Sequence, residues 1–424
     1  MERNRNICSN YDDEINKMAK KLIVIGGGAA GFFTAINAAR MNPALEVCII
    51  EKSNKLLSKV KISGGGRCNT THACFEIAEL VKKYPRGAQF LKKAFHQFST
   101  QQTIQWFSER NVTLVAEPDG RMFPATNDSQ TIINCLLQEA DKYAVKVILQ
   151  TEISEIKKVN DQFILSTATG KDFTADYLCI ACGGYPKAAM FNWLTALGHT
   201  IETPLPSLFT FNMPGNKIST LMGLSVPMAT VKIMGTKLQE QAPLLITHWG
   251  MSGPAILKLS AWGARILADT SYRFTILVNW LSDYNEQSLR ESWHSIRTES
   301  AAQKMANKNP FGLPNRLWNY LLELSDIKEV TRWAELPSKE QNKLIKNLTA
   351  GEFQVDGKTT FKEEFVTCGG IKLNEIDPST MQSKKMAHLY FAGEIMDIDG
   401  ITGGFNFQNA WTSGWIAATA ISNA

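Results

Sequence analysis

The sequence predicts an α/β fold in which a parallel, helix-flanked sheet is built from both ends of the chain and interrupted in the middle. Three observations point to it. Short apolar runs at Lys21 to Ile25 and Leu45 to Ile50 flank a helical stretch at Ala29 to Arg40, the opening of a βαβ unit. Strand-like pieces broken by Pro, Gly and Asn fill Pro204 to Leu281, as expected for an antiparallel or barrel-like unit. Strand character returns near Phe353, and a Gly-rich, aromatic segment then leads into a helix at Asn409 to Ala420. At 424 residues, 44% hydrophobic and 20% charged, the chain suits two or three domains with a substantial core and excludes a disordered or fibrous class.

Taken in order, residues 1–17 read as a disordered extension, polar and without the apolar run of a secretory signal, with Met18 as a second candidate start. After the βαβ opening come a helical region from about Phe75 to Arg110 and a helix near Ser129 to Tyr143. Val145 to Leu149, Gln162 to Thr167 and Tyr177 to Ala181 read as strands. Leu208 to Met213, Ala229 to Met234 and Phe274 to Val278 are the strands of the β-rich middle. Residues 282–350 look helical, with a capping box at Ser338 to Gln341 after Pro337. The expected division is therefore a discontinuous nucleotide-binding domain, 18–187 with 362–424. The insertion, 188–361, would be β-rich over 188–281 and helical over 282–350.

Net charge is +5, from 45 basic and 40 acidic side chains, with a pI near 8.6. Two basic clusters, Lys52, Lys55, Lys59, Lys61 and Arg67, then Lys82, Lys83 and Arg86, suit an anionic cofactor or nucleic acid, or else a solvated surface. No nucleic-acid-binding module accompanies them, so a nucleic-acid partner is not expected. No stretch of 18 apolar residues occurs, so no membrane span is expected. The eight cysteines are scattered without the spacing of a disulfide framework or a metal site, which fits a reducing cytoplasm. Cys179-x-x-Cys182 has redox spacing, but it ends an apolar strand pattern and reads as packing.

Chemistry concentrates in three glycine-rich segments. Gly26-Gly27-Gly28-Ala29-Ala30-Gly31 follows a strand and opens a helix, a Rossmann-type turn. Gly26 allows the turn, Gly28 lets backbone approach a pyrophosphate, and Gly31 lets helix and strand pack closely. The phosphates then meet the positive end of the helix. Glu51 ends the next strand, 20 residues beyond Gly31, where a carboxylate accepts from ribose hydroxyls and repels a 2′-phosphate. Lys52 follows it. NAD and FAD both satisfy this motif. The second segment, Ser63-Gly64-Gly65-Gly66-Arg67-Cys68-Asn69, offers bare backbone and polar side chains to a ligand, or else forms a surface turn. The third runs from Phe391-Ala392-Gly393-Glu394 through Gly400-Ile401-Thr402-Gly403-Gly404-Phe405-Asn406-Phe407-Gln408. There a helix N-terminus can favour negative charge on the N1–O2 edge of a reduced flavin.

With Gly120-Arg121-Met122-Phe123-Pro124, Thr247 to Pro254 and Thr367-Cys368-Gly369-Gly370, these segments resemble the BaiN/YhiN-type FAD-dependent oxidoreductases, the aminoacetone-oxidase-like flavoproteins. The resemblance extends from Met18 to the C-terminus. It implies FAD rather than NAD, held in a glutathione-reductase-like Rossmann-type FAD-binding domain. That domain would be interrupted by a β-rich barrel-like unit and a small helical unit. It places Gly26, Gly28, Ala29, Ala30, Gly31, Glu51 and Lys52 at the ADP half. Gly66, Arg67, Cys68, Asn69, Gly183, Gly393, Glu394, Gly404, Phe405 and Asn406 complete the cofactor contacts. Cys182 and Cys368 depart from the Thr and Ala common in that family.

The cofactor would carry the electrons, and the protein would supply binding and orientation. His248, Cys68, Arg67 and Thr402 are the candidate catalytic groups. His248 lies in a Gly-rich loop and reads as either catalytic or structural, and Cys68 as either a flavin partner or a small polar neighbour. The expected function is oxidation–reduction of a small organic substrate, with oxygen or NAD(P)H as second substrate. The alternative is a flavin-binding redox protein associated with RNA, in the manner of tRNA modification. Ala181-Cys182-Gly183-Gly184 follows a strand but lacks the full spacing of a second dinucleotide fingerprint.

Overall fold

The computed structural model describes residues 20–360 and 366–424, so the expected extension 1–17 lies outside the described residues. Contacts divide the chain into two compact units. The first runs to Leu205 and resumes over Val366–Ala424; the second is Pro206–Phe365. The chain stays in the first unit past residue 187 for a physical reason. The strand Ile201–Ser207 pairs with Val366–Ile371, and Lys372 N donates to Thr200 O.

The first unit is organised by β1 (Lys21–Ile25), α1 (Ala29–Met41), β2 (Glu46–Ile50), β3 (Lys146–Ile148), β4 (Tyr177–Ile180), β5 (Leu389–Phe391) and α2 (Phe405–Ser422). The strands form one parallel sheet in the order β5-β4-β1-β2-β3. Its central strands are apolar without alternation because both faces are covered; Leu22, Ile23 and Val24 are fully buried. α1 and α2 cross closely at Gly414, where an added Cβ would sit 3.1 Å from Ala30 O. Phe33 packs on Trp106 and Trp411 at 4.6 and 5.2 Å between ring centroids. The buried Trp106 indole donates to Asn37 Oδ1 at 2.9 Å, so the aromatic core leaves no polar debt there.

The region read as helical from Phe75 to Arg110 is three short helices, Ile77–Leu80, Ala88–Phe95 and Thr100–Ser108. Gly87, at φ +80°, breaks it where the backbone lies against Ile398. Ser99 breaks it again, with Gln102 Oε1 accepting from both its N and its Oγ.

The second unit carries a seven-stranded antiparallel sheet. Its two outermost strands, Gly351–Asp356 and Lys358–Thr359, are consecutive in the chain. Gly357 between them donates to Tyr272 O and accepts from Asn212 N, so the sheet curls back on itself. Helices Glu286–Glu299, Asn315–Leu324 and Ser338–Ala350 share one core with the strands, through Trp280, Trp293, Trp318, Trp333 and Phe353. The expected capping box does not form. Pro337, extended at ψ 153°, takes the N-cap position, Ser338 becomes the first helical residue, and no side chain caps the helix.

A buried polar cluster pins the return of the chain within the first unit. His199 Nδ1 lies 3.0 Å from Glu375 Oε2, and His199 Nε2 lies 3.0 Å from Ser383 Oγ. Lys385 Nζ and Thr200 N donate to the same carboxylate at 2.6 and 3.0 Å. Burial alone would raise the Glu375 carboxyl, but these donors win and hold it down to about 2. Burial also pushes His199 down, against the opposing pull of Glu375. Both folded values are depressed, so both groups stabilise the fold above their ordinary pKa values. That contribution is lost as pH falls from roughly 6.5, where histidine ordinarily titrates, towards about 2. Glu375→Gln is expected to cost about 3 kcal/mol at neutral pH. Urea melts across pH should show the gap to wild type closing in acid; a gap independent of pH would contradict this assignment.

Candidate functional site

Every strand of the parallel sheet ends on the same edge, and the first and third glycine-rich segments emerge there. β1 runs into Gly26–Gly28, β2 into Glu51 and Lys52, β4 into Ala181–Gly183, and β5 into Gly393 and Glu394. The strand order reverses direction at β1, with β2 on one side and β4 on the other. In an open parallel sheet, ligands bind at the carboxyl ends of the strands beside such a reversal.

Gly26 is wedged between both neighbours. Its N donates to Ile50 O at 2.9 Å, its φ is +117°, and an added Cβ would lie 2.5 Å from Ala181 O. Gly31 is tighter still, with an added Cβ 1.9 Å from Gly26 O. Gly28 differs from both: it is the extended N-cap of α1, and an added Cβ would meet nothing within 4 Å. Ala29 and Ala30 form the first helical positions, and no side chain caps α1. Room and outward-facing amides therefore coincide at one helix start.

Glu51 braces this turn from β2. Its Oε2 accepts from Gly27 N and its Oε1 from Ser53 N, each at 2.8 Å. Two carboxylate oxygens have lone pairs left for ribose hydroxyls. Lys52 Nζ sits 5.3 Å from the centre of the Tyr185 ring, and Tyr185 Oη donates to Cys182 Sγ at 3.2 Å. Gly183, at φ +78°, faces open space.

The second segment is a left-handed run, with Gly64, Gly65, Gly66 and Cys68 all at positive φ. Gly65 and Gly66 also face open space. Arg67 is engaged elsewhere: Nη1 pairs with Glu117 at 2.6 Å and the guanidinium lies 4.0 Å over the Phe123 ring. Asn69, with its amide set to satisfy both partners, accepts from Gly404 N and donates to Thr71 O, each at 3.0 Å. It thereby joins the second segment to the third.

In the third segment Gly393 N donates to Ser413 Oγ at 2.8 Å. Glu394 accepts from Thr367 N at 2.8 Å and pairs with Lys59 Nζ at 2.6 Å. Gly404 is the N-cap of α2, again without a side-chain cap, so the helix begins at Phe405 rather than Asn409. Phe405 stacks on His72 at 4.7 Å, and Asn406 exchanges two hydrogen bonds with the Gly400 backbone at 2.8 and 3.0 Å. Thr402 lies half-buried in this turn. His248 belongs to the second unit, exposed, its ring 3.8 Å from that of Trp249.

Burial pushes the Cys68 and Cys182 thiols up to about 11 and Cys179 up to about 12, so all three are neutral at pH 7. Cys179 and Cys182 are free thiols, and the burial that raises both favours the packing reading of that pair. Among the described residues no cluster of His, Cys, Asp and Glu is placed to hold a metal ion, and no helix is long and apolar enough to cross a membrane.

The polar lining, with donors at the helix starts and an acceptor at Asn409, fits a long dinucleotide carrying both phosphates and hydroxyls. Two helices start on uncapped glycines, four glycines face open space, and the buried Thr367 Oγ1 and Asn409 Oδ1 have no hydrogen-bond partner. Such orphaned buried groups are rare and call for a ligand or water. The orphaned Asn409 Oδ1 and the His72 ring stacked on Phe405 were not legible from sequence.

Comparison with known proteins identifies the family of the fold. Residues 20–420 match the family described as HI0933-like protein Rossmann domain. A ribosomal RNA dihydrouridine synthase of Escherichia coli strain K12 is 31% identical, over 93% of this chain and 96% of its own length. The ribosomal RNA dihydrouridine synthase of Haemophilus influenzae is 28% identical, over 94% and 98%. A 3-dehydro-bile acid delta(4,6)-reductase of Clostridium scindens is 24% identical, also over 94% and 98%.

Proposed function

The chain belongs to the HI0933-like Rossmann family, whose members are FAD-binding oxidoreductases, and on that footing we propose that it reduces a carbon–carbon double bond conjugated to a carbonyl. One observation carries the reading. Relatives named for an RNA base and for a bile acid align along more than nine-tenths of this chain, and both names describe the same bond change. Dihydrouridine is uridine saturated at the double bond conjugated to a ring carbonyl. A delta(4,6) 3-oxo bile acid carries double bonds conjugated to its ketone.

In this reading the Gly26–Gly31 turn and the start of α1 hold the diphosphate, and Glu51 holds the adenosine ribose. Gly66, Asn69 and the Gly404–Phe405 start of α2 surround the flavin. When bound, FAD supplies a reversible two-electron carrier, recharged by NAD(P)H. The side chains keep narrower duties. Cys68, fully buried and with its thiol pushed up by that burial, serves as a small packing neighbour. Arg67, held by Glu117 and Phe123, stiffens the second segment. Saturating the bond also needs a proton delivered beside the carbonyl, and Thr402, half-buried in the turn before α2, is the candidate within the first unit.

Uridine in ribosomal RNA is the first substrate to test, because two relatives carry that name and because Lys52, Lys55 and Lys61 are exposed next to the strand edge. The experiment is anaerobic stopped-flow mixing of the reduced holoprotein with unmodified ribosomal RNA, with a conjugated enone, and with buffer. Return of oxidised-flavin absorbance near about 450 nm is expected with RNA or the enone but not with buffer. A spectrum that stays reduced with both the RNA and the enone would overturn the reductase reading.

A further inference from the structure

The turn that starts α2 is rich in glycine, at 400, 403 and 404, and such a run has little stiffness of its own. Its order has to be imposed. Within the first unit, one short segment does much of this. Tyr84, fully buried, donates from Oη to Phe405 O at 2.7 Å. Lys83 O accepts from Ile401 N at 2.9 Å. The Arg86 guanidinium forks onto both oxygens of Asp399, a carboxylate with no solvent exposure, and the two residues also bridge through their backbones. Gly87 then lies against Ile398. The segment 83–87 therefore grips both the approach to the turn and the first carbonyl of the helix.

A buried ion pair is weak evidence for stability, since desolvation consumes most of the Coulombic gain. Its distinctive property is direction: the planar fork fixes the carboxylate in orientation as well as distance. The same helix start has no side-chain cap, and Asn409, one turn on, presents a buried Oδ1 without a partner. Both features point to a ligand at this helix start.

We propose that Arg86, with Tyr84, is a positioning residue that holds the start of α2 against the flavin and so sets how strongly the protein stabilises the reduced cofactor. This rests on FAD lying at that turn. A correctly held helix start favours negative charge on the reduced ring, whereas a loosened one favours it less.

The test is the midpoint potential of FAD in the holoprotein for wild type, Arg86→Gln, Asp399→Asn, Arg86→Lys and Tyr84→Phe. Loosening the turn is expected to weaken stabilisation of the reduced form about tenfold, a shift of about 30 mV to more negative potential for a two-electron couple. Arg86→Gln and Asp399→Asn should shift in the same direction, because either one undoes the clamp. Acting merely as charges, they would shift in opposite directions, and that outcome overturns the proposal. So does an unchanged potential in both. Arg86→Lys keeps the charge, loses the fork and is the variant best able to fold; it should also shift negative. A wild-type potential in Arg86→Lys beside a shifted Arg86→Gln would return the effect to charge alone. Tyr84→Phe should shift the same way by less, and a positive shift there would count against the clamp. A wild-type chain that takes up no FAD fails earlier, at the cofactor reading itself.

Discussion

Gly28→Val is expected to give a folded chain that cannot hold FAD. An added Cβ at this position meets nothing within 4 Å, and its backbone is extended at φ −96° and ψ −172°, which any residue can adopt. The protein therefore has no steric objection to a β-carbon there. A diphosphate resting on the same amides does have one. Loss of at least about 100-fold in FAD affinity is expected, roughly 2.7 kcal/mol. Valine is a poorer N-cap than glycine, so the cofactor-free chain should lose no more than about 1 kcal/mol in stability. Equilibrium dialysis and denaturant melts of the cofactor-free forms separate the two effects. Wild-type affinity in this variant would place the phosphates elsewhere.

Gly31→Ala should do the reverse, damaging the fold first and the cofactor only as a consequence. Its Cβ would fall 1.9 Å from Gly26 O, a backbone atom in the turn itself. No rotamer relieves that contact, so α1 must move off the sheet. Overpacking of a core usually costs about 1–3 kcal/mol, and a clash with rigid backbone belongs at the upper end of that range. The cofactor-free variant should unfold at clearly lower denaturant than wild type. An unaltered midpoint would mean that helix and strand are not in the close register described here. Together the two substitutions distinguish a glycine kept for the ligand from one kept for packing, although both lie in the same motif.

That distinction marks the limit of what the sequence discloses. The parallel sheet was legible because strands covered on both faces must be apolar throughout, as in Leu22 to Ile25. Glu51 was legible from spacing alone. Its hydrogen bond to Gly27 N was not, because spacing does not reveal that the carboxylate also holds the turn shut. The break at Gly87 escaped notice since its cause, Ile398, lies in another segment of the chain. Arg86 and Asp399 were hidden for the same reason, and Arg86 passed for a member of a surface basic cluster. The side chains of Asn69 and Asn406 also bond the Gly404 and Gly400 backbone, which spacing does not reveal. They shape the third segment from within. At Ser338 the capping pattern was present in the sequence, but Pro337 had already taken the cap position.

The most direct measurement is the flavin-to-protein ratio of the full chain after saturation with FAD and gel filtration. One FAD per chain, with absorbance bands near about 375 and 450 nm, is the expected value. A colourless chain that emerges with none would contradict the placement of a diphosphate on the first glycine turn, and with it the redox function built on that contact.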